Sequence, residues 1–73
     1  MKDPRELVEE ALFEARPYVE YSDRLRSVIL SALKETGDVE ELKARIESLM
    51  EKESEPFKTD LRIFLQKLEG LLG

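Results

Sequence analysis

The chain has no cysteine, no histidine and no tryptophan, and only three glycines and three prolines in 73 residues. Each absence removes a class of chemistry. Without cysteine there is no disulfide framework, no thiolate metal site and no thiol nucleophile; without histidine there is no imidazole base and no Glu-x-x-His metal pair. The serines and threonines, Ser22 and Thr59 among them, therefore have nothing to activate them and are read as caps and surface positions. Gly37, Gly70 and Gly73 stand alone, so no glycine run exists to cradle a phosphate. Unbroken apolar stretches reach only three residues, as at 11–13 and 28–30, far short of the roughly 20 that span a bilayer or the roughly 7 to 15 of a signal-peptide core. The sequence reads as a soluble, non-enzymatic domain with no cofactor, no metal and no signal peptide.

Charge is what the chain has in quantity: 40% of residues are charged against 41% hydrophobic, a globular composition, and the length allows one domain over 1–73 with one core. The net charge of -5 comes from 17 acids and 12 bases. Residues 1–21 carry six acids and three bases and residues 38–55 seven and three, whereas 22–37 and 56–73 are each +1. Nucleic-acid binding needs bases concentrated on one face to release condensed counterions. Here they stand singly among acids, which argues against nucleic acid and equally against a basic helix lying on anionic lipid.

Asp3-Pro4-Arg5-Glu6 supplies an N-cap acceptor, a proline preset for the first helical position and a glutamate able to reach back. Leu7, Val8, Ala11, Leu12 and Ala15 then recur at spacings of three and four, one stripe of a helix. Pro17 lacks an amide and disfavours helix at Arg16, yet Tyr18 and Val19 stay in phase and Tyr21, Leu25, Val28, Ile29, Ala32 and Leu33 continue the stripe. One kinked helix over 4–36 would be about 50 Å long, more than the rest of the chain could cover. A break is preferred, with helix 1 over 4–16 or slightly beyond and helix 2 from about 18–22 to 36, Ser22 being a fair second cap. Gly37 sits where a left-handed C-terminal cap is wanted, and Asp38-Val39-Glu40-Glu41 repeats the acid-then-glutamate box. Val39, Leu42, Ile46, Leu49 and Met50 form the cleanest stripe. Ser54-Glu55-Pro56 reads as cap plus early proline for a last helix over about 55–71, carried by Phe57, Leu61, Phe64, Leu65, Leu68, Leu71 and Leu72, with Gly70 weakening its final turn. The expected fold is all-α, a bundle of four short helices, or three if the Pro17 junction is only a kink. Leu25, Ile29, Ile46, Leu49, Phe64 and Leu68 are centred on their stripes and are expected to be the most buried.

Carboxylates one turn apart, Glu6 and Glu10, Glu10 and Glu14, and Glu47 and Glu51, lie off or at the edge of the stripes and read as solvated faces, since no turn-rich calcium loop accompanies them. Tyr18 and Tyr21 with Arg16, Arg24 and Arg26 form the one aromatic-basic cluster. Tyr18 is expected to pack in the core and Tyr21 to border it, tyrosine readily burying its ring with the hydroxyl wet. Three apolar residues resist this scheme: Phe13 projects opposite its helix's core face, Ile63 lies well away from the Leu61/Phe64/Leu68 face, and Leu30 sits off the centre of its stripe. Either these residues, with Tyr21, anchor a partner-binding or self-association patch, or a wider core takes them in.

The capping and loop grammar, Asp3-Pro4-Arg5-Glu6-Leu7 and Thr36-Gly37-Asp38-Val39-Glu40-Glu41-Leu42, resembles that of computationally designed helical mini-proteins over the whole chain. That resemblance implies a binder or scaffold whose off-stripe apolar residues are its contact surface. A second resemblance is to the flagellar anti-sigma factor family, which clasps a sigma factor. Val19-Glu20-Tyr21-Ser22 is similar to that family's V-acid-I-S start, Val39 to Glu47 to its central helix and Phe57-Lys58-Thr59-Asp60 to its Y-x-V-D turn. The central match lacks the following glycine, and about half a dozen extra residues precede Phe57. The expectation drawn from all this is a bundle that binds one protein through an apolar patch, monomeric rather than homodimeric; an idealised fold with no partner is the alternative.

Overall fold

Four helices account for the apolar periodicity. The computed structural model describes residues 3–73 and gives α1 over Pro4–Ala15, a 3-10 turn over Arg16–Tyr18, α2 over Ser22–Glu35, α3 over Val39–Lys52 and α4 over Phe57–Leu72, with no strand among the described residues. The chain breaks at Pro17 rather than kinking: the greatest extent of the molecule is 33 Å, which excludes a continuous helix over 4–36. A radius of gyration of 11.0 Å is what a close-packed chain of this length should have, about 11 Å.

The caps explain where helices start, and some depart from expectation. Asp3 accepts from the Glu6 amide at 2.8 Å and Asp38 from the Glu41 amide at 2.9 Å, as capping acids should. Glu41 completes the second box by accepting from the Gly37 amide at 3.0 Å. Replacing Asp38 with alanine is expected to cost about 1 kcal/mol; superimposable thermal melts of the two proteins would place the α2–α3 junction elsewhere. Gly37 is not left-handed, since among the described residues Gly73 has the one positive φ. α2 instead stops in extended backbone at Thr36, whose hydroxyl donates to the Ala32 carbonyl at 3.1 Å, satisfying an end carbonyl that a left-handed glycine would otherwise have served. Ser54 does not cap α4 either. Pro56 occupies the N-cap position after a cis Glu55–Pro56 bond, and the Glu55 carboxylate accepts from the Thr59 amide at 2.8 Å and the Thr59 hydroxyl at 2.6 Å. That hydroxyl contact, first among the causes, holds the Glu55 carboxyl below its ordinary pKa. α4 runs through Gly70 to Leu72.

The core is Val8, Ala11 and Leu12 from α1, Leu25, Ile29 and Ala32 from α2, Leu42 and Ile46 from α3, and Phe57, Leu61, Phe64, Leu65 and Leu68 from α4. α1 and α4 form the most extensive pair. Leu25, Ile29, Ile46, Phe64 and Leu68 are all buried as expected, but Leu49 is only half-buried. α4 contributes the most large side chains and takes the centre, which leaves the C-terminal half of the α3 stripe at the margin.

Candidate functional site

Ala11 and Ala15 are fully buried, so α1 meets the bundle through a face of small side chains. Phe13 lies about 150° round the helix from the centre of the buried face formed by Val8, Ala11, Leu12 and Ala15 at 100° per residue and is 74% exposed. Just beyond it the α1 axis ends. The Arg16 amide closes the last turn on the Leu12 and Phe13 carbonyls, Pro17 begins the bend, and Val19 enters extended backbone.

This bend overturns the expectation for Tyr18. The apolar phase carries it toward the core only if the helix continues; in the 3-10 turn it swings outward and is 64% exposed, while Val19 packs against the core instead. The Lys67 ammonium of α4 lies over the Tyr18 ring, 4.7 Å from its centre, a cation–π contact that holds both side chains at the surface. A groove of 700 Å³ is lined here by Phe13, Glu14, Arg16, Pro17, Tyr18 and Lys67. On the other side of Phe13 a second groove of 510 Å³ runs toward α2, with Leu12, Val19 and Leu25 in its floor and Arg16 again at its edge. Phe13 is thus the ridge between two grooves.

The remaining candidates do not join it. Leu30 is half-buried and packs against the core, Ile63 is half-buried on α4, and Tyr21 is 47% exposed; none of the three lines either groove. The wider core therefore takes in Leu30, and the patch that sequence spacing assembled from Phe13, Leu30, Ile63 and Tyr21 resolves into Phe13 with Tyr18. Arg24 is drawn away from the tyrosines: its guanidinium stacks on the Phe57 ring at 4.2 Å and pairs with Glu53 at 3.5 Å.

Sequence spacing also missed Asp60. It is 2% exposed, the one buried charged residue among those described, and its carboxylate accepts from the Glu20 amide at 3.1 Å and the Tyr21 amide at 3.0 Å. α2 has no side-chain cap of its own, Tyr21 rather than Ser22 occupying the N-cap position. The acid from α4 takes the two amides that lead into it, some 40 residues away. A lone aspartate on an apolar stripe was the available signal, since burying a charge is tolerated only where it is hydrogen-bonded.

Electrostatics tie the second groove together. Glu9 at its edge accepts from both Arg26 amino groups, one at 2.9 Å, and from Arg5 at 3.4 Å. The Arg26 hydrogen bond, ahead of its charge and of Arg5, holds the Glu9 carboxyl below its ordinary 4.5. A carboxyl depressed by folding favours the folded state above its unfolded pKa and loses that contribution as pH falls through its folded value. Carbon-detected titration should place the Glu9 midpoint below 4.5 and return it upward in Arg26→Gln; an unmoved midpoint would mean that the α1–α2 pair is not formed in solution.

Among the described residues no group of acidic side chains comes together to hold a metal ion, and no helix is long and apolar enough to cross a membrane. A model of the MJ1579 family matches residues 5–72. The chain belongs to the MJ1579 family. The match takes in all four helices, so Phe13, the Pro17 bend and Asp60 lie within the family's matched span. No curated protein matches this MJ1579-family chain. The segments that resemble the anti-sigma family fall in different settings: Val19 to Ser22 form the entry to α2, Val39 to Glu47 lie in α3, and Phe57 and Asp60 are buried.

Proposed function

We propose that the chain is a non-enzymatic protein-binding module whose contact surface is the corner where α1 ends, with Phe13 at its centre. The observation that carries this reading is the exposure of Phe13 between two grooves. Leaving a large apolar side chain wet forgoes about 1.5 to 3 kcal/mol that burial would supply, and a bundle this small has little stability to forgo. Contiguous exposed apolar surface is where partners dock, and aromatic residues are the usual anchors. The one buried acid among the described residues supports the non-enzymatic part, because each Asp60 oxygen accepts a backbone amide, which accounts for its burial by a structural role alone. A designed binder and an anti-sigma regulator are narrower forms of the same reading, and a fold with no partner is its opposite.

Phe13→Gln separates a partner-binding corner from a fold with no partner. Folding is expected to change by less than about 0.5 kcal/mol in urea melts, the usual surface scale, while partner binding weakens by about 2 kcal/mol. Paired affinity capture with the wild-type chain and the Phe13→Gln variant, at equal folded fraction, should retain a protein on the first that is lost from the second. Retained sets that do not differ, empty sets included, overturn the reading, as does a variant destabilised by several kcal/mol.

A further inference from the structure

Resting on that reading, we infer that the occupant of the Phe13 corner is an acidic segment of another protein, one that inserts a large apolar side chain beside Phe13 and Tyr18 and sets carboxylates on Arg16 and Lys67. The sign of the local charge carries the inference. The chain as a whole is -5, yet the groove between Phe13 and Tyr18 is bordered by two cations, Arg16 and Lys67, against the single anion Glu14. The cations are also placed differently from most others. Arg5, Arg24, Arg26, Lys43 and Arg45 each pair with a glutamate, whereas Arg16, like Lys34, Lys52, Lys58 and Arg62, has no ion-pair partner within 4.0 Å among the described residues, and of these only Arg16 borders both grooves. Lys67 stands over an aromatic ring rather than against a carboxylate. Lys67 is half-buried and already held over the ring, so little side-chain freedom is lost when an anion arrives.

The same charges disfavour a second copy of the chain. Two molecules of net -5 repel, and a two-fold contact on this corner would bring together two patches that each carry two cations against one anion. An acidic segment meets attraction at the patch, and guanidinium can bind its carboxylate in bidentate fashion.

A random dodecapeptide library displayed on phage and selected against the whole folded chain tests this. Recovered peptides are expected to carry Trp, Phe or Leu flanked by Asp or Glu. Synthesised and titrated by fluorescence anisotropy, they should bind about tenfold more weakly to Phe13→Gln, a difference of about 1.4 kcal/mol, and about tenfold more weakly to Arg16→Glu. Their affinity should also fall several-fold as salt rises from about 50 to about 500 mM, as the screening length shrinks. Lys67→Glu is a parallel variant, read only after its melt is shown to match the wild type; Arg16, being exposed, carries the test alone if it does not. Peptides that depend on Phe13 but lack acids, or that tolerate Arg16→Glu, overturn the acidic partner and leave the docking surface standing. Peptides enriched in Lys or Arg overturn it in the same way. If no recovered peptide depends on Phe13, the docking surface falls as well. A sedimentation mass that drops from dimer to monomer in Phe13→Gln assigns the corner to a second copy and overturns the inference.

Discussion

Truncating Ile46 or Leu68 to alanine is expected to destabilise the bundle by about 2 to 5 kcal/mol, the range for deleting a fully buried aliphatic side chain and leaving a cavity. Both side chains are wholly buried, Ile46 in α3 and Leu68 near the end of α4. They tie these helices to one shared core. A domain of this size derives only a few kcal/mol from such a core once chain entropy is subtracted, so the upper part of the range unfolds it. Urea melts followed by circular dichroism read the loss directly. Leu49→Ala is the internal comparison: half-buried at the margin, it should cost about 1 kcal/mol, nearer the average for point substitutions. Equal losses at Leu49 and Ile46 would mean that α3 is rotated from the orientation described, and a loss below about 0.5 kcal/mol at Ile46 or Leu68 would place that residue outside the core.

Where a feature depends on residues within one or two turns, much of it is legible in the sequence, although at the start of α4 Glu55 rather than Ser54 accepts from Thr59. The caps Asp3 and Asp38 and the α3 stripe follow from spacings of three and four, and the break at Pro17 follows from a missing amide. Tyr18 was misread because periodicity assumes that the axis continues. Once the chain turns at Pro17, phase no longer says which way a side chain points. Gly37 was misread for a related reason: the glycine is available for a left-handed cap, but the Thr36 hydroxyl satisfies the Ala32 carbonyl first.

The candidate site was half legible. Phe13 opposes Ala11 and Ala15 on a helix whose extent the sequence defines well, so its exposure follows from angle alone. Leu30 is nearer its stripe and Ile63 is well away from its own, and whether either is covered depends on how far neighbouring helices reach, which no local spacing encodes. The groove between Phe13 and Tyr18 depends on Lys67 arriving from α4, where it lies over the Tyr18 ring, 49 positions away in the numbering. Asp60 was missed because its partners are backbone amides, which every sequence position possesses and none advertises.

Asp60→Ala is accordingly expected to be the most damaging change of a polar residue, about 3 kcal/mol. Hydrogen bonds to a charged acceptor contribute about 1.5 to 3 kcal/mol each, and removing the acceptor leaves two donors in need of a partner. Full additivity of the two would overshoot, because they share one carboxylate. The comparison with Asp38 isolates what is unusual. Both acids accept backbone amides at the start of a helix, but Asp38 is exposed and its loss is compensated by water, whereas Asp60 is 2% exposed and water replaces it poorly. Asp60→Asn should fall between, since one amide can still be accepted by the side-chain carbonyl while the other meets an NH2 group. Amide hydrogen exchange supplies the local readout: in Asp60→Asn the Glu20 and Tyr21 amides should exchange faster relative to those of α3, which the clamp does not touch. The segment that the clamp fixes runs directly from Tyr18 into α2, so loosening it also loosens one wall of the Phe13 corner. A variant of Asp60 that melts like the wild type, with Glu20 and Tyr21 still protected, would remove the clamp and leave the entry to α2 without an explanation for its position.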